Sequence, residues 1–290
     1  MPFRQITIIG TGLVGGSLGL ALRKGGFAGK IVGSDRPDVL GRAKRMGAIS
    51  EGVADPLEAS LGSEVIVLAT PVGAIIELLS RLGPHLEADQ LLTDVGSTKS
   101  EIVSRAEKVF GDRMGRNFLA GHPMAGKESS GIESADPDLF RGAVWFVTPL
   151  SGRMPRTGPG GEFVSSLEAI GARVRALGAR EHDQLCAWIS HVPQMISTAF
   201  AASLVDEYGE TAPLFEAGGR AFEEMTRIAA SPYSMWRDIA LTNKTFIADA
   251  LLKLEQRLAH LRENLDSREF EAEFERAHKL RPPKSGTPDA

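Results

Sequence analysis

Short apolar runs alternate with longer segments of helical spacing through the first half of the chain. Such runs, either apolar throughout or rich in β-branched residues, are typical of strands buried on both faces of a parallel sheet. We predict strands at residues 6–9, 30–34, 64–69, 91–94, 118–120 and 143–148, and the first helix at residues 16–24. Strands that alternate with helices indicate an α/β fold with crossover connections.

The pattern changes near residue 180. Before it, we predict an exposed Gly- and Pro-rich loop at residues 151–161 and a short strand near residues 173–177. From about residue 181 to residue 279 no convincing strand is found, and helical spacing covers residues 185–205, 222–230, 236–265 and 268–280. The chain is therefore predicted to divide into an α/β domain (1–179), an all-helical domain (180–280) and a disordered polar tail (281–290).

Composition limits the class of protein. A chain of 290 residues with 42% hydrophobic content suits a two-domain globular protein, and the net charge of -4 argues against nucleic acid as a partner. The apolar runs are too short to cross a bilayer and no signal peptide precedes the first strand, so we expect a soluble cytoplasmic protein that does not bind membranes. Cys186 is the single cysteine, which excludes an internal disulfide and a cysteine cluster, and we expect no metal site.

A GxGxxG pattern follows the first predicted strand. Gly10 permits a tight turn, Gly12 lets the backbone approach a pyrophosphate, and Gly15 lets the following helix pack closely on the strand. Leu13 and Val14 lie between these glycines and are included in the cofactor site, and the N-terminus of the following helix attracts phosphate charge. Because strand, glycines and helix occur in the required order, the first domain is predicted to be a Rossmann-type dinucleotide-binding domain.

An acidic residue ends the second predicted strand. Asp35 stands where the carboxylate that hydrogen-bonds the adenosine ribose is expected, and this charge repels a 2′-phosphate. We therefore predict NAD and not NADP as the cofactor. Arg36 follows directly and is included in the cofactor site, because its charge weakens that discrimination.

Ligands of open parallel sheets bind beyond the carboxyl ends of the strands. Three segments lie at such ends, and we assign Thr70, Pro71 and Asp94 among them to the cofactor site. The third segment, GHPMAG, places His122 between small residues that let a substrate approach. Imidazole is a suitable general base near neutral pH, although a loop histidine that caps a helix is an equally good interpretation of this position alone.

Arg227 in the helical half has apolar neighbours, which predicts partial burial and a carboxylate partner. That partner is either a substrate or Glu223, one helical turn earlier, and the residues alone favour Glu223. His191 precedes a Val-Pro pair and by itself is more typical of a helix start than of a catalytic residue.

Five segments together resemble the prephenate/arogenate (cyclohexadienyl) dehydrogenase family of tyrosine biosynthesis. They are GTGLVGGSLG, DVGSTKS, GHPMAG, SHVPQ and TRIAASPYSMWRD, and the resemblance runs in order from about residue 6 to residue 280. It implies a Rossmann-type domain followed by an all-α dimerisation domain, and therefore a homodimer. The implied activity is NAD-dependent oxidative decarboxylation of prephenate to 4-hydroxyphenylpyruvate, of arogenate to tyrosine, or of both.

The resemblance also assigns roles to individual residues. His122 corresponds to the histidine that takes the ring hydroxyl proton, and Ser97 to the serine that positions that hydroxyl. Arg227 corresponds to an arginine that binds a substrate carboxylate, which requires that it face the same cavity as His122. His191 corresponds to a histidine of the substrate pocket.

Further pocket or subunit-contact positions of the family correspond to Glu128 and Trp236. Two departures from the family pattern concern charge: many members have a second histidine where this chain has Gln194, and some have a basic residue at Glu223. We therefore include Glu223 among the substrate-binding residues, on the hypothesis that it favours the ammonium group of arogenate.

Two other functions fit parts of the pattern. A dehydrogenase of the β-hydroxyacid or hydroxyacyl type shares the first loop and uses different catalytic segments, such as a lysine; Lys99, Lys127 and Lys244 are candidates. A non-catalytic NAD-binding dimer would keep the fold, but the joint presence of His122, Ser97 and Arg227 argues against it.

Overall fold

The computed structural model describes residues 3–209 and 212–280. An eight-stranded sheet forms the centre of the first half. Its strands are β1 (Gln5–Ile9), β2 (Lys30–Ser34), β3 (Glu51–Gly52), β4 (Val65–Leu68), β5 (Leu91–Asp94), β6 (Phe118–Pro123), β7 (Val144–Thr148) and β8 (Arg173–Ala176). The spatial order is β3-β2-β1-β4-β5-β6-β7-β8. The predicted strands are confirmed, whereas β3 was missed because two exposed residues carry no hydrophobic pattern.

The sheet is parallel from β3 to β6, and β7 is antiparallel to β6. The strand direction thus reverses between β6 and β7, and β8 runs parallel to β7. Parallel neighbours need a crossover connection, usually a helix. Between β6 and β7 the chain forms only a 3-10 turn at Ile132–Ser134, and it re-enters the sheet from the carboxyl edge.

Helices cover both faces of the sheet. They are α1 (Leu13–Lys24), α2 (Pro37–Arg45), α3 (Pro56–Ser60), α4 (Val72–Leu82), α5 (Ser100–Phe110), α6 (Met114–Asn117) and α7 (Gly158–Ala169). One apolar cluster joins α1, α2 and α7 to the sheet, and another joins α4 and α5 to it. The predicted loop 151–161 is wrong at its end, because α7 begins at Gly158 with a proline in its first turn, where a missing N–H costs little.

Helices alone occur in the described part of residues 181–279. They are α8 (Ala179–Cys186), a π-helical turn (Ala187–His191), α9 (Val192–Tyr208), α10 (Ala212–Ala217), α11 (Arg220–Arg227), α12 (Tyr233–Thr242), α13 (Lys244–Glu263) and α14 (Arg268–His278). The single helix predicted at 236–265 is interrupted at Asn243. The buried Asn243 side chain donates to the Asp183 carbonyl oxygen at 2.9 Å, and the Asn243 backbone does not have helical geometry.

The helical half buries little apolar surface by itself. Its buried cluster consists of Ala187, Val192, Ile239, Ile247 and Ala250. The long helix α9 has only three buried residues although apolar side chains occur all around it. A helix that is apolar on every side is normally enclosed, so α9 indicates a surface that a further chain covers.

The described residues contain no helix that is both long and apolar enough to cross a membrane. The predicted disordered tail, 281–290, lies outside them.

Candidate active site

The glycine loop between β1 and α1 has the geometry that the GxGxxG pattern predicts. Gly10 has a φ of +92°, and a Cβ there would lie 2.4 Å from the Ala69 carbonyl oxygen. A Cβ on Gly15 would lie 1.9 Å from the Gly10 carbonyl oxygen, whereas one on Gly12 would meet no atom within 4 Å. The outer two glycines therefore allow close packing, and Gly12 leaves open space at the helix N-terminus.

That open space fits a dinucleotide phosphate. No side chain caps α1 and no acidic residue occupies its first turn, so the first N–H groups, including those of Leu13 and Val14, have no intrahelical partner. A cavity of about 530 Å³ lies beside the loop and is lined by Gly10, Gly12 and Asp35, among others. Both the shape and the donor groups suit an anionic cofactor.

Asp35 is fixed at the far end of this cavity. Its carboxylate accepts hydrogen bonds from the backbone N–H of Thr11 at 2.7 Å and of Arg36 at 2.8 Å. The Arg36 side chain is turned toward Asp38, with 3.8 Å between Nε and the carboxylate oxygen. The carboxylate thus faces the cavity in a defined orientation, while the Arg36 guanidinium is directed to another partner.

Thr70 and Pro71 line this cavity and also a second one of about 350 Å³. The Thr70 Oγ1 atom is buried without a hydrogen-bond partner among the described residues. The second cavity is formed by Leu13, Val14, Ser97 and Glu128 from the first half together with Pro232, Ser234, Met235 and Ile239 from the helical half. The two cavities are therefore neighbours along the carboxyl edge of the sheet, and the second lies between the domains.

Asp94 has a different role from the one predicted. Its side chain is fully buried, pairs with the equally buried Lys99, and accepts hydrogen bonds from the backbone N–H of Gly96 at 2.8 Å and Gly121 at 3.3 Å. A buried carboxylate needs such partners. Asp94 therefore shapes the loop after β5, and its fully buried side chain is not among the groups that line either cavity.

His122 is the penultimate residue of β6 and belongs to a buried chain of hydrogen bonds. Its Nδ1 lies 2.8 Å from Nε2 of His182, and His182 Nδ1 lies 2.9 Å from the Asp183 carboxylate. Both oxygens of that carboxylate accept backbone N–H groups at the start of α5, from Lys99 at 2.7 Å and from Ser100 at 2.8 Å. Sequence reasoning missed His182 and Asp183, although a His-Asp pair at a domain junction is a signal that could have been noticed.

Burial keeps this imidazole uncharged. The pKa of His122 is lowered well below its ordinary value by burial, and further by positive charge at His182, Lys99 and His191. Burial also lowers the pKa of His182, while the hydrogen bond to Asp183 acts in the opposite direction. At neutral pH, His122 is therefore a neutral base.

The same region holds Cys186, whose Sγ lies 3.4 Å from His182 Nε2. Ligand atoms of His122, His182 and Cys186 all lie within 4.8 Å of one another. A single cysteine excludes a cysteine cluster but not this mixed group of two histidines and one thiol. Burial raises the pKa of the Cys186 thiol to about 12, so the sulfur is protonated and its proximity is explained as a weak hydrogen bond.

His191 and Trp236 pack edge to face, with ring centroids 6.0 Å apart. The Asn243 amide nitrogen donates to the Asp183 carbonyl, which fixes its orientation, and it lies 3.0 Å from His191 Nδ1. Because this nitrogen is a donor, Nδ1 of His191 accepts and its proton resides on Nε2. Burial lowers the pKa of His191 to about 4. Nε2 of His191 and Nε1 of Trp236 are buried donors without a partner among the described residues.

Arg227 is not paired as expected. Its guanidinium contacts the Glu128 carboxylate, and its side chain is 61% exposed, so the predicted partial burial and the predicted pairing with Glu223 are both wrong. Arg220 pairs with Glu224, and Glu223 is exposed without an ion pair among the described residues. Arg227 therefore contacts Glu128, which lines the interdomain cavity, but neither Arg227 nor His122 is among the residues that line either cavity. The shared cavity of these two residues stays a prediction.

Gln194, the departure from the second family histidine, is buried. Its amide nitrogen donates to the Ile228 carbonyl oxygen at 2.9 Å and to Thr198 Oγ1 at 3.2 Å. These bonds tie α9 to the segment that follows Arg227.

Comparison with known proteins agrees with this geometry. Residues 18–159 match the model for prephenate dehydrogenase, nucleotide-binding domain, and residues 178–279 match that for prephenate dehydrogenase, dimerization domain. A prephenate dehydrogenase of Lactococcus lactis is 32% identical over 285 residues, which is 96% of this chain and 77% of that protein.

Solved structures give the same result. A crystal structure of prephenate dehydrogenase from Aquifex aeolicus, in complex with hydroxyphenyl propionate and NAD+, has a TM-score of 0.83 and 32% identity and covers 96% of both chains. Synechocystis arogenate dehydrogenase has a TM-score of 0.76 and 27% identity over 95% of this chain and 98% of that one. The sequence and fold thus agree over both domains, and the chain belongs to the prephenate dehydrogenase family.

Proposed function

We propose that this NAD-dependent dehydrogenase oxidatively decarboxylates prephenate, arogenate or both. The observation that carries the proposal is the position of a neutral, buried imidazole, His122, at the same sheet edge as the dinucleotide loop. Relatives named prephenate dehydrogenase and cyclohexadienyl dehydrogenase support the substrate class. When bound, NAD⁺ supplies the hydride acceptor.

The protein's own residues have to accept one proton from the substrate and hold the charged substrate in position. His122 accepts the proton of the ring hydroxyl as general base, which its neutral state allows. Ser97, at the wall of the interdomain cavity, orients that hydroxyl. The substrate then releases carbon dioxide, because the electrons of the broken carbon–carbon bond complete an aromatic ring. The enzyme therefore needs positioning and a base more than stabilisation of a carbanion.

Arg227 and His191 are proposed to bind the substrate. Arg227 binds a carboxylate in exchange for Glu128, which is an exposed partner and hence an inexpensive one to replace. The unpartnered Nε2–H of His191 donates a hydrogen bond to a polar substrate group, and Trp236 holds the ring of His191 in place. A ligand that satisfies these donors removes the free-energy cost of burying them without a partner.

The rival functions are less consistent with the structure. Lys99 is buried against Asp94, Lys127 pairs with Asp136 at 3.0 Å, and Lys244 is exposed on α13, so none is placed as the catalytic lysine of a hydroxyacid dehydrogenase. A non-catalytic NAD-binding protein gives no reason for the hydrogen-bonded chain behind His122.

We further propose that the protein is a homodimer through its helical domain. The match to a dimerization domain and the apolar side chains that α9 leaves exposed support this. Exposed apolar residues of this half include Phe200, Val205, Tyr208, Leu241, Leu252 and Leu258. Exposed apolar side chains gathered on one half of a protein mark a protein–protein interaction surface.

Replacement of His122 tests the base. His122→Asn is expected to lower kcat by about 10²–10⁴-fold, because proton transfer is lost, while NAD affinity changes less than about twofold. Since burial lowers the pKa of His122, wild-type kcat/KM should hold as pH falls through 6.5 and drop only at lower pH. The rate of NADH formation measures kcat and the pH dependence of kcat/KM. His85→Asn, an exposed histidine, is the control, and a fully active His122→Asn enzyme would refute the mechanism.

Replacement of Asp35 tests the preference for NAD. Asp35→Asn keeps an oxygen for the Thr11 N–H but removes the charge that repels a 2′-phosphate. The ratio of kcat/KM for NAD⁺ to that for NADP⁺ should fall by more than about tenfold, which is about 1.4 kcal/mol. The control is Asp112→Asn, an exposed aspartate that lines neither cavity. An unchanged ratio in Asp35→Asn would contradict the assigned role.

Substrate preference tests Glu223, which shares a helix face with Arg227 at a spacing of one turn. If Glu223 favours the ammonium group, wild type should prefer arogenate, and Glu223→Lys should lower the arogenate-to-prephenate ratio of kcat/KM by about five- to tenfold. Glu224→Lys, on the neighbouring face, controls for net charge. A wild type that strongly prefers prephenate would end this hypothesis.

The dimer is tested by sedimentation velocity. Val205→Glu places a charge on the exposed apolar face of α9 and should raise the dimer dissociation constant by more than about tenfold. Leu61→Glu, an exposed leucine of the first domain, should leave the dimer intact. A monomeric wild type, or equal dimers in both variants, would count against this interface.

A further inference from the structure

We propose that His182 and Asp183 are positioning residues that hold His122 in the tautomer whose Nε2 carries no proton and can accept one from the substrate. The proposal rests on the proposed function of His122 as general base. Neither residue lines the two cavities described above, and both are fully buried behind His122.

The direction of each hydrogen bond follows from Asp183. An ionised carboxylate only accepts hydrogen bonds. Although burial raises the pKa of Asp183, hydrogen bonds from His182, Ser100 and Lys99 lower it overall, so the group is ionised at neutral pH. The two backbone N–H groups at the start of α5 hold its oxygens in place. Nδ1 of His182, 2.9 Å from this carboxylate, must therefore carry a proton.

The protonation of His182 in turn determines which nitrogen of His122 carries a proton. A neutral His182 with its proton on Nδ1 has an unprotonated Nε2, which accepts a hydrogen bond. His122 Nδ1, at 2.8 Å, must then be the donor. A neutral imidazole has only one N–H, so Nε2 of His122 is left with its lone pair. In the opposite tautomer, two lone pairs would face each other at this distance.

Among the groups around the two rings, the hydrogen bonds from Asp183 through His182 to His122 determine the tautomer of His122. The charged or titratable groups around the two rings are Asp183, Lys99, Asp94, His191 and Cys186. Lys99 is paired with Asp94, and His191 is engaged by Asn243. The Cys186 thiol is a weak donor at 3.4 Å from His182 Nε2 and does not reverse the polarity of the chain.

A series of variants separates positioning from packing. His182→Leu removes the acceptor for His122 Nδ1–H and should lower kcat by about 10–100-fold, with the KM for NAD⁺ changed less than about twofold. His182→Gln offers an amide oxygen as acceptor and should recover at least about tenfold of that loss. Cys186→Ala, which removes the other neighbour of the same ring, should keep kcat within about twofold of wild type.

A double-mutant comparison separates failure of this proposal from failure of the proposed function. In the His122→Asn background, His182→Leu should have no further effect on kcat, because its only action is through His122. If His122→Asn is inactive and His182→Leu has wild-type kcat, the positioning role is wrong and the base assignment stands. If His122→Asn is fully active, the base assignment itself is wrong.

The tautomer can also be observed directly in the wild-type enzyme. Two-bond ¹H–¹⁵N NMR of histidine-labelled wild-type enzyme distinguishes protonated from unprotonated ring nitrogens. We expect Nδ1 of His122 and of His182 to carry the proton at neutral pH, with His122 assigned from the signals missing in His122→Asn. A wild-type His122 with its proton on Nε2 would overturn the proposal.

Discussion

The carboxylate of Asp183 at the N-terminus of α5 is the interaction on which the site depends. It comes from the helical half, yet it accepts the Lys99 and Ser100 N–H groups of the nucleotide-binding half. A negative charge is favourable at a helix N-terminus, and buried N–H groups need such an acceptor. One side chain therefore joins the two domains and orients the histidines behind the active site.

His122 is a neutral base because the contact between the two domains is buried. His122, His182 and His191 lie together in a region with little access to water, and burial opposes a charge on each ring. Lys99 adds positive charge that is balanced by Asp94. Burial and a fixed hydrogen-bond pattern thus produce an imidazole that is both uncharged and oriented, which proton abstraction requires.

The sequence alone determined several features of this protein. They are the glycine loop, the acid at the end of β2, most of the strands and the segments shared with the family. These features are local: hydrophobic periodicity reports which residues face a core, and glycines report where backbones must approach. The weak pattern of β3 and the reversed direction of β7 and β8 escaped it, because strand pairing near a sheet edge depends on the path of the whole connection.

Partners that are distant in sequence were decided only by the tertiary structure. His122 meets His182 across 60 positions, the Asp183 carboxylate accepts the Lys99 N–H across 84 positions, and Arg227 pairs with Glu128 although Glu223 is one helical turn away. Spacing along a helix shows which pairs are possible, but a buried charge or N–H pairs with whichever group the packed fold brings within reach. That proximity is a property of the assembled domains and is not encoded in any single segment.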